Sequence, residues 1–340
     1  MDCPGLYYLL QQAGLSSARA NAGVATIVII PGNLRNTQTP CAPSAKAVSP
    51  GSPISPRAGS AVLERCANRA WVASALTLLL LFAGGAAGQS QYPVSVDARQ
   101  EGTSHRITVR NDGRVPLQIQ LSLAQSDNLA SSRSWPIDLV LPAGQTAEVA
   151  RVRPLDAGRS YRFSYRYSIL LGDPHAQPDA AARYRVPFGS GRAYRVSQAP
   201  DGIIVTHNDP QTANALDLVM PEGTSVLAAR AGLVLEVFQP SATRADLAGR
   251  GTYVRIFHDD GTWADYAHLS QPAPSLALNA RIEAGAPIGL SGNTGQSSGP
   301  HLHFHVQRNE GGKIISIPVV FSTPSRSVVR PAQGEMLSGD

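Results

Sequence analysis

Cysteine is almost missing from this 340-residue chain: Cys3, Cys41 and Cys66 are the only three, and none follows Cys66. That absence excludes a disulfide framework and a thiolate metal site from the rest of the chain. A metal ion there is left to His, Asp, Glu or water. An excess of charge of one sign is also missing, once the net charge of +5 is located. Residues 1–88 hold six basic residues (Arg19, Arg35, Lys46, Arg57, Arg65, Arg69) against Asp2 and Glu64. The 23 basic and 22 acidic residues that remain nearly cancel. A basic surface for nucleic acid is therefore not expected, and nucleic acid is not a predicted partner. Helical periodicity is the third absence, and long hydrophobic runs are the fourth.

The one apolar run is "WVASALTLLLLF", residues 71–82. It is shorter than the about 20 residues that cross a bilayer as a helix. Arg65 and Arg69 precede it and the small residues of "AGGAAGQSQ" follow, the layout of an export signal cleaved after Gly88. Residues 1–88 are thus read as a leader with its signal at 71–88, and the alternative is an uncleaved N-terminal anchor. A membrane is expected as a partner in those two ways alone. No cysteine follows the run, which argues against a lipid anchor. An export signal belongs at the extreme N-terminus, so the true start is expected downstream of Met1, with a mature end near Gln89. The predicted location is the periplasm or cell envelope.

From Tyr92 the pattern is short strands with turns between. "HRITVRNDGRVPLQIQLSL" (105–123) alternates on both sides of Asp112-Gly113, a hairpin signal. "IDLVLPAGQTAEVARVR" (137–153) reads as two strands joined through Pro142-Ala143-Gly144. "YRFSYRYSILL" (161–171) sets Tyr161, Phe163, Tyr165 and Tyr167 against Arg162, Ser164 and Arg166. That stripe is either a core face with a solvated reverse or a surface for glycan or peptide. Together these segments predict a β-sandwich over 92–171, immunoglobulin-like in look. A Pro- and Ala-rich linker at 172–191 carries His175, read as solvated. A second β domain is expected over 192–325, followed by a tail at 326–340. The fold class predicted for the two domains is all-β.

What the second domain does have is histidine in a pattern. "SGPHLHFHV" (298–306) alternates His301, His303 and His305 with Leu302, Phe304 and Val306, so a strand would put all three imidazoles on one face. That is either a solvated face with an apolar back or part of a metal site with partners elsewhere. Candidates exist upstream. His207 is followed ten residues on by Asp217, which stands between Leu216 and Leu218. An aspartate in an apolar strand is costly to bury unless something positive neutralises it. His268 ends the strand in "DYAHLS". Each piece alone has a structural explanation. Three ligands of the His/Asp/His type with an open fourth position are what a catalytic zinc site needs.

"HNDPQTANALDLVMPEGTSVLAARAGLV", "YVRIFHDDGTWADYAHLS" and "GLSGNTGQSSGPHLHFHV" resemble, in this order, the core of the LytM/lysostaphin-type zinc metallopeptidases, the M23 peptidases. The resemblance covers about Pro187 to Phe321 and implies an antiparallel β-sheet domain, Zn2+ as cofactor and peptidoglycan peptides as substrate. His207, Asp217 and His303 match the family's zinc ligands. His268 and His301 match the two histidines that flank the metal-bound water, one as general base and one as a hydrogen-bond donor to the oxyanion. Two departures stand out. Ten residues separate His207 from Asp217 where the compact family motif has four, so "NDPQTAN" is read as a loop insertion. His305 stands where the family often has Glu; it should lie about 7 Å beyond His303 along the strand, with a role behind the ligands or on the surface.

The resemblance thus implies an exported zinc endopeptidase hydrolysing cross-links or stem peptides of bacterial peptidoglycan. The alternative is a non-catalytic relative that binds and activates another wall hydrolase; the filled ligand positions speak for catalysis. A closed structural zinc site is the third reading, and His268 and His301 exceed what it requires. Loop roles are expected for Asn293 and Thr294, packing or cleft contact for Tyr266, and a solvated position for His258.

Overall fold

The computed structural model describes residues 21–23, 27–29, 92–203, 206–241, 249–323 and 325–339. The signal at 71–88, the cleavage after Gly88 and the remaining leader lie outside the described residues, save two short strands, β1 (Asn21–Gly23) and β2 (Ile27–Ile29). The fold is all-β, with no helix among the described residues.

The first region holds β3 (Val94–Glu101), β4 (Ser104–Asn111), β5 (Leu117–Asp127), β6 (Leu129–Ser131), β7 (Ile137–Leu141), β8 (Thr146–Pro154) and β9 (Arg162–Leu171). They make two antiparallel sheets, in orders β3-β4-β8-β6 and β9-β5-β7, and β1 and β2 pair with β9. The expected hairpin around Asp112-Gly113 does not form. β4 pairs with β3 and β8, and β5 with β7 and β9, so the turn carries the chain from one sheet to the other. Pro142–Gly144 makes the second such crossing, between β7 and β8. Alternation marks the buried face of each strand but is the same for a hairpin and for a crossing. A buried side chain ties the two crossings together: the Asn111 amide donates to Val115 O and Leu141 O, each at 2.9 Å. Tyr161, Phe163 and Tyr165 lie in the core with Ile107, Val109, Ile119 and Leu121, which makes the aromatic stripe a core face.

The second region begins with β10 (Arg192–Gln198), β11 (Leu216–Leu218), β12 (Ser225–Leu227), β13 (Gly232–Phe238), β14 (Thr252–Phe257) and β15 (Trp263–Leu269). It continues with β16 (Gln271–Pro272), β17 (Arg281–Ile282), β18 (Pro287–Leu290), β19 (Leu302–Glu310), β20 (Lys313–Ile317) and β21 (Met336–Gly339). The main sheet runs β17-β13-β14-β15-β19-β11-β10-β21, with β20 also on β19, beside a small sheet β12-β18-β16. β21 falls within the segment read as a tail and forms the edge beside β10. Period-2 alternation sorts β19 cleanly: Leu302, Phe304 and Val306 enter a core shared with Val254, Ile256, Tyr266, Met220 and Phe321. His303, His305, Gln307 and Asn309 share the opposite face.

That opposite face is covered unevenly. At its far end Phe257 and Trp263 join the apolar cluster of the sandwich. Asn309 donates to Gln118 Oε1 at 2.8 Å, and Arg255 donates to the Tyr92 hydroxyl at 2.9 Å. At the near end, around His303, the histidines gather.

Candidate metal centre

Three strands and two loops build the centre. In the register of the sheet Asp217 of β11 and Ala267 of β15 stand opposite His303 of β19, one on each side. β11 is only three residues long and buried throughout, so its central carboxylate points into the sheet's polar face instead of into water. Asp217 Oδ1 is 2.9 Å from His303 Nδ1, and its Oδ2 is 3.5 Å from His207 Nε2. One donor atom from each of His207, Asp217 and His303 lies within 4.8 Å of the others. Two imidazole nitrogens and a carboxylate oxygen are zinc-type donors, and three of them leave a fourth position open. The residues present therefore fit a zinc ion. Burial pushes the Asp217 carboxyl up, but the hydrogen bond from His303 and the nearby His207 and His301 hold it below its ordinary value. Burial lowers His207, favouring the neutral ring that a ligand must present.

His207 reaches the centre from the loop between β10 and β11. The segment expected as an insertion is a tight turn: Asp209 O accepts from Thr212 N and Ala213 N, and Ser316 N donates to Pro210 O at 2.8 Å. The side chain that joins this loop to the sheet is Gln198. Its Nε2 donates to Asp217 Oδ2 at 2.7 Å, and its Oε1 accepts from Thr206 N and Thr206 Oγ1 at 2.9 Å. One amide thus holds the carboxylate and the residue next to His207 together. Nothing in the sequence singles out Gln198; its place follows from β10 pairing with β11.

His268 and His301 stand beside this triad, with ring centroids 4.6 Å apart. His268 donates from Nδ1 to Thr294 O at 2.7 Å, and His301 from Nδ1 to Gly299 O at 2.8 Å. A carbonyl oxygen can only accept, so both rings carry their proton on Nδ1 when neutral and keep a lone pair on Nε2. His301 Nε2 is 3.8 Å from Asp217 Oδ1, so that lone pair faces the triad. The His268 ring lies 5.7 Å from that of His303. Burial pushes His268 down to about 4. Its backbone has φ +61°, an unusual value for a residue with a side chain and a kind of strain that gathers at functional sites.

The loop at 291–300 makes this placement possible. Thr294 Oγ1 donates to Leu269 O at 2.7 Å and accepts from Thr252 N at 2.9 Å, while Thr294 O accepts the hydrogen bond from His268 Nδ1. Its role is therefore to hold the loop and orient His268. Gly292 packs so tightly against Leu269 and Ser270 that a Cβ would fall on their backbone. Tyr266 packs: it is fully buried, and its hydroxyl accepts from Ala229 N at 2.7 Å. His175 is exposed, as its loop position suggested. His258 is not solvated but fully buried, donating from Nδ1 to Ala231 O at 2.8 Å, because its turn folds back under Gly232.

His305 is also buried, which removes the surface role. Its Nδ1 lies 2.9 Å from His303 Nε2. Beyond it stands a charged group that sequence reasoning passed over: Arg255 Nε and Nη2 donate to the two oxygens of Asp265, each at 2.7 Å, with Glu236 3.7 Å from Arg255 Nη1. The signal was available. Glu236, Arg255 and Asp265 are charged residues in otherwise apolar strands, the same anomaly that marked Asp217.

Residues 211–314 match the family model of peptidase family M23, and His207 lies just before the matched segment. The peptidoglycan DD-endopeptidase ShyA of Vibrio cholerae is 32% identical over 121 residues, 34% of this chain and 26% of that protein. A Haemophilus influenzae protein named uncharacterized metalloprotease is 31% identical over 253 residues, 71% of this chain and 48% of its own length. Among solved structures, the catalytic domain of lysostaphin from Staphylococcus simulans is 28% identical, over 34% of this chain and 82% of that one, with a TM-score of 0.29. The chain spans about a quarter of the Vibrio protein and about half of the Haemophilus protein.

Proposed function

Because residues 211–314 match peptidase family M23, we propose that the chain is an exported zinc-dependent endopeptidase that hydrolyses peptide bonds of bacterial peptidoglycan. His207, Asp217 and His303 would hold the zinc ion, which supplies Lewis acidity and lowers the pKa of water toward about 7. The observation that carries the reading is the arrangement of His268 and His301. Both rings have Nδ1 fixed on a backbone carbonyl. That leaves Nε2 able to take a proton from an attacking water, and the protonated ring able to hydrogen-bond the developing oxyanion or return the proton to the leaving amine. A closed structural site has no use for this pair. The substrate class rests on the named activity of the Vibrio relative and on the export signal read in the leader.

Digestion of purified peptidoglycan with mass spectrometry of the fragments tests the proposal, beside an Asp217→Ala control and zinc analysis of both proteins. Wild type is expected to release peptide fragments with about one zinc per chain, the stoichiometry of a single three-ligand site. The control should release none and lose the metal. Equal products from both proteins, or none from zinc-loaded wild type, would sink the catalytic reading; the second result would favour a binding-only regulator.

A further inference from the structure

His303 is held from behind. The face of β19 that carries it continues through His305, whose Nδ1 is 2.9 Å from His303 Nε2. His305 is 2% exposed, and its Nε2 has no hydrogen-bond partner among the described residues. That nitrogen faces Asp265 Oδ2 at 3.7 Å. Asp265 is 1% exposed and gripped by Arg255 through two bonds of 2.7 Å, with Arg250 3.3 Å away. Arg255 Nη1 in turn donates to the hydroxyl of Tyr92, at the start of the sandwich, at 2.9 Å.

We propose that His305 and Asp265 are positioning residues that fix which nitrogen of His303 is offered to the metal, and that Tyr92 closes this file from the sandwich side. The proposal rests on His303 being a zinc ligand. Two imidazole nitrogens 2.9 Å apart must share one proton, so one ring donates and the other accepts. Were His305 to donate from Nδ1, its Nε2 would turn a lone pair on the buried Asp265 carboxylate, an unfavourable contact in a low-dielectric interior. Asp265 therefore keeps the His305 proton on Nε2 and its lone pair on Nδ1. With zinc in place of the proton that His303 Nδ1 gives Asp217 in the metal-free protein, that lone pair would accept from His303 Nε2–H and leave a lone pair on His303 Nδ1, the atom 2.9 Å from Asp217 Oδ1. Asp217 alone would draw the proton to Nδ1. Asp217 and His303 would resolve the conflict in favour of the Asp265 side when they hold a divalent cation, which would replace that proton. Partners that set a metal-bound histidine's tautomer commonly contribute 10–100-fold in affinity. Arg255 keeps Asp265 ionised, and Tyr92 satisfies Arg255 without adding charge. The sandwich thus belongs to the support of the metal centre and is more than a tethered module.

The test uses the full chain and zinc affinity measured by competition with a chelator, together with melting of the zinc-free protein and 15N NMR of the histidines. His305→Phe keeps the ring volume but removes the acceptor, and is expected to weaken zinc binding by about 10–100-fold. His305→Asn, whose Oδ1 falls where Nδ1 was, should restore most of that loss. Tyr92→Phe should weaken binding less than His305→Phe does. In zinc-loaded wild type, His303 is expected to hold its proton on Nε2. The proposal is overturned if His305→Phe binds zinc as tightly as wild type, if His303 holds its proton on Nδ1, or if Phe and Asn weaken binding equally and lower the zinc-free melting temperature alike. Failure of wild type to bind zinc at all would overturn the metal reading, and this proposal with it.

Discussion

The sandwich and the main sheet of the second region obey the same alternation, yet they bury different kinds of polar group. Inside the sandwich the buried polar side chains are His105, Asn111 and Ser164. His105 meets the Tyr161 hydroxyl at 2.7 Å, and Asn111 ties two strand crossings. His105 and Asn111 are neutral and paired within their own region, so they specify a fold. The sheet buries Asp217, Glu236, Arg255, Asp265, His268, His303 and His305. Ionisable groups of both signs, packed along one face, cost far more to desolvate than an amide. A fold alone does not need them. The contrast separates a polar interior that holds strands in place from one that surrounds the candidate metal centre.

Substitutions in each region should therefore fail in different ways. The largest effect after loss of a metal ligand is expected from His268→Ala. Turnover on peptidoglycan should fall by about 10²–10⁴-fold, with zinc content unchanged by metal analysis. Retained turnover would remove His268 from the catalytic pair.

Next in size is a pH effect carried by His258, which sits in the sheet region but outside the metal centre. Burial lowers its pKa to about 4. Unfolded, it takes a proton near 6.5. Its folded pKa is depressed, so the unfolded chain binds more protons between these values and stability rises with pH there. The protein should be fully stabilised above about pH 6.5 and lose about 3 kcal/mol from this group as pH falls to 4. Urea unfolding at several pH values measures the slope. His258→Asn should lower it by the share of one histidine, since buried His268 and His305 are depressed as well, and an unchanged slope would assign the acid sensitivity elsewhere.

Gln198→Leu is expected to leave the fold intact but weaken zinc binding by about 10-fold or more, because the hydrogen-bonded partner of the carboxylate proposed to bind zinc is lost. Chelator competition reads this directly, and unaltered affinity would mean that the His207 loop holds its place without the amide. In the sandwich the counterpart is Asn111→Ala. It strands two buried carbonyls and should cost about 1–3 kcal/mol in denaturant unfolding. Zinc affinity should stay as in wild type. A large drop in affinity there would break the contrast between the two interiors.

Much of the candidate metal centre was legible before the fold was known. Asp217 was marked by its apolar neighbours, and His301 and His303 by alternation. Their roles came with the resemblance to a family, and the structure brings all five candidate residues together. The strand crossings of the sandwich were not legible, because alternation records which face is buried and not which strand lies alongside. Nor were Gln198 and Thr294, ordinary polar residues whose partners are distant in sequence and are chosen by strand pairing. His258 was misplaced toward solvent because a histidine beside polar residues looks exposed until something packs over it, and of the two places left open for His305, behind the ligands or on the surface, only packing chose the first.

The sequence by itself determined that the two regions from Tyr92 onward are all-β, which residues of each strand share a face, and that any metal beyond Cys66 is left to histidine, carboxylate or water. Those properties follow from composition and from a side-chain period of two, which are local. Tertiary structure alone decided which strands are neighbours, that the sandwich covers one end of the face bearing His303, and that a buried file from Tyr92 through Arg255 and Asp265 reaches His305. Burial and pairing depend on segments far apart in the chain, and only the folded sheet brings them within hydrogen-bonding distance.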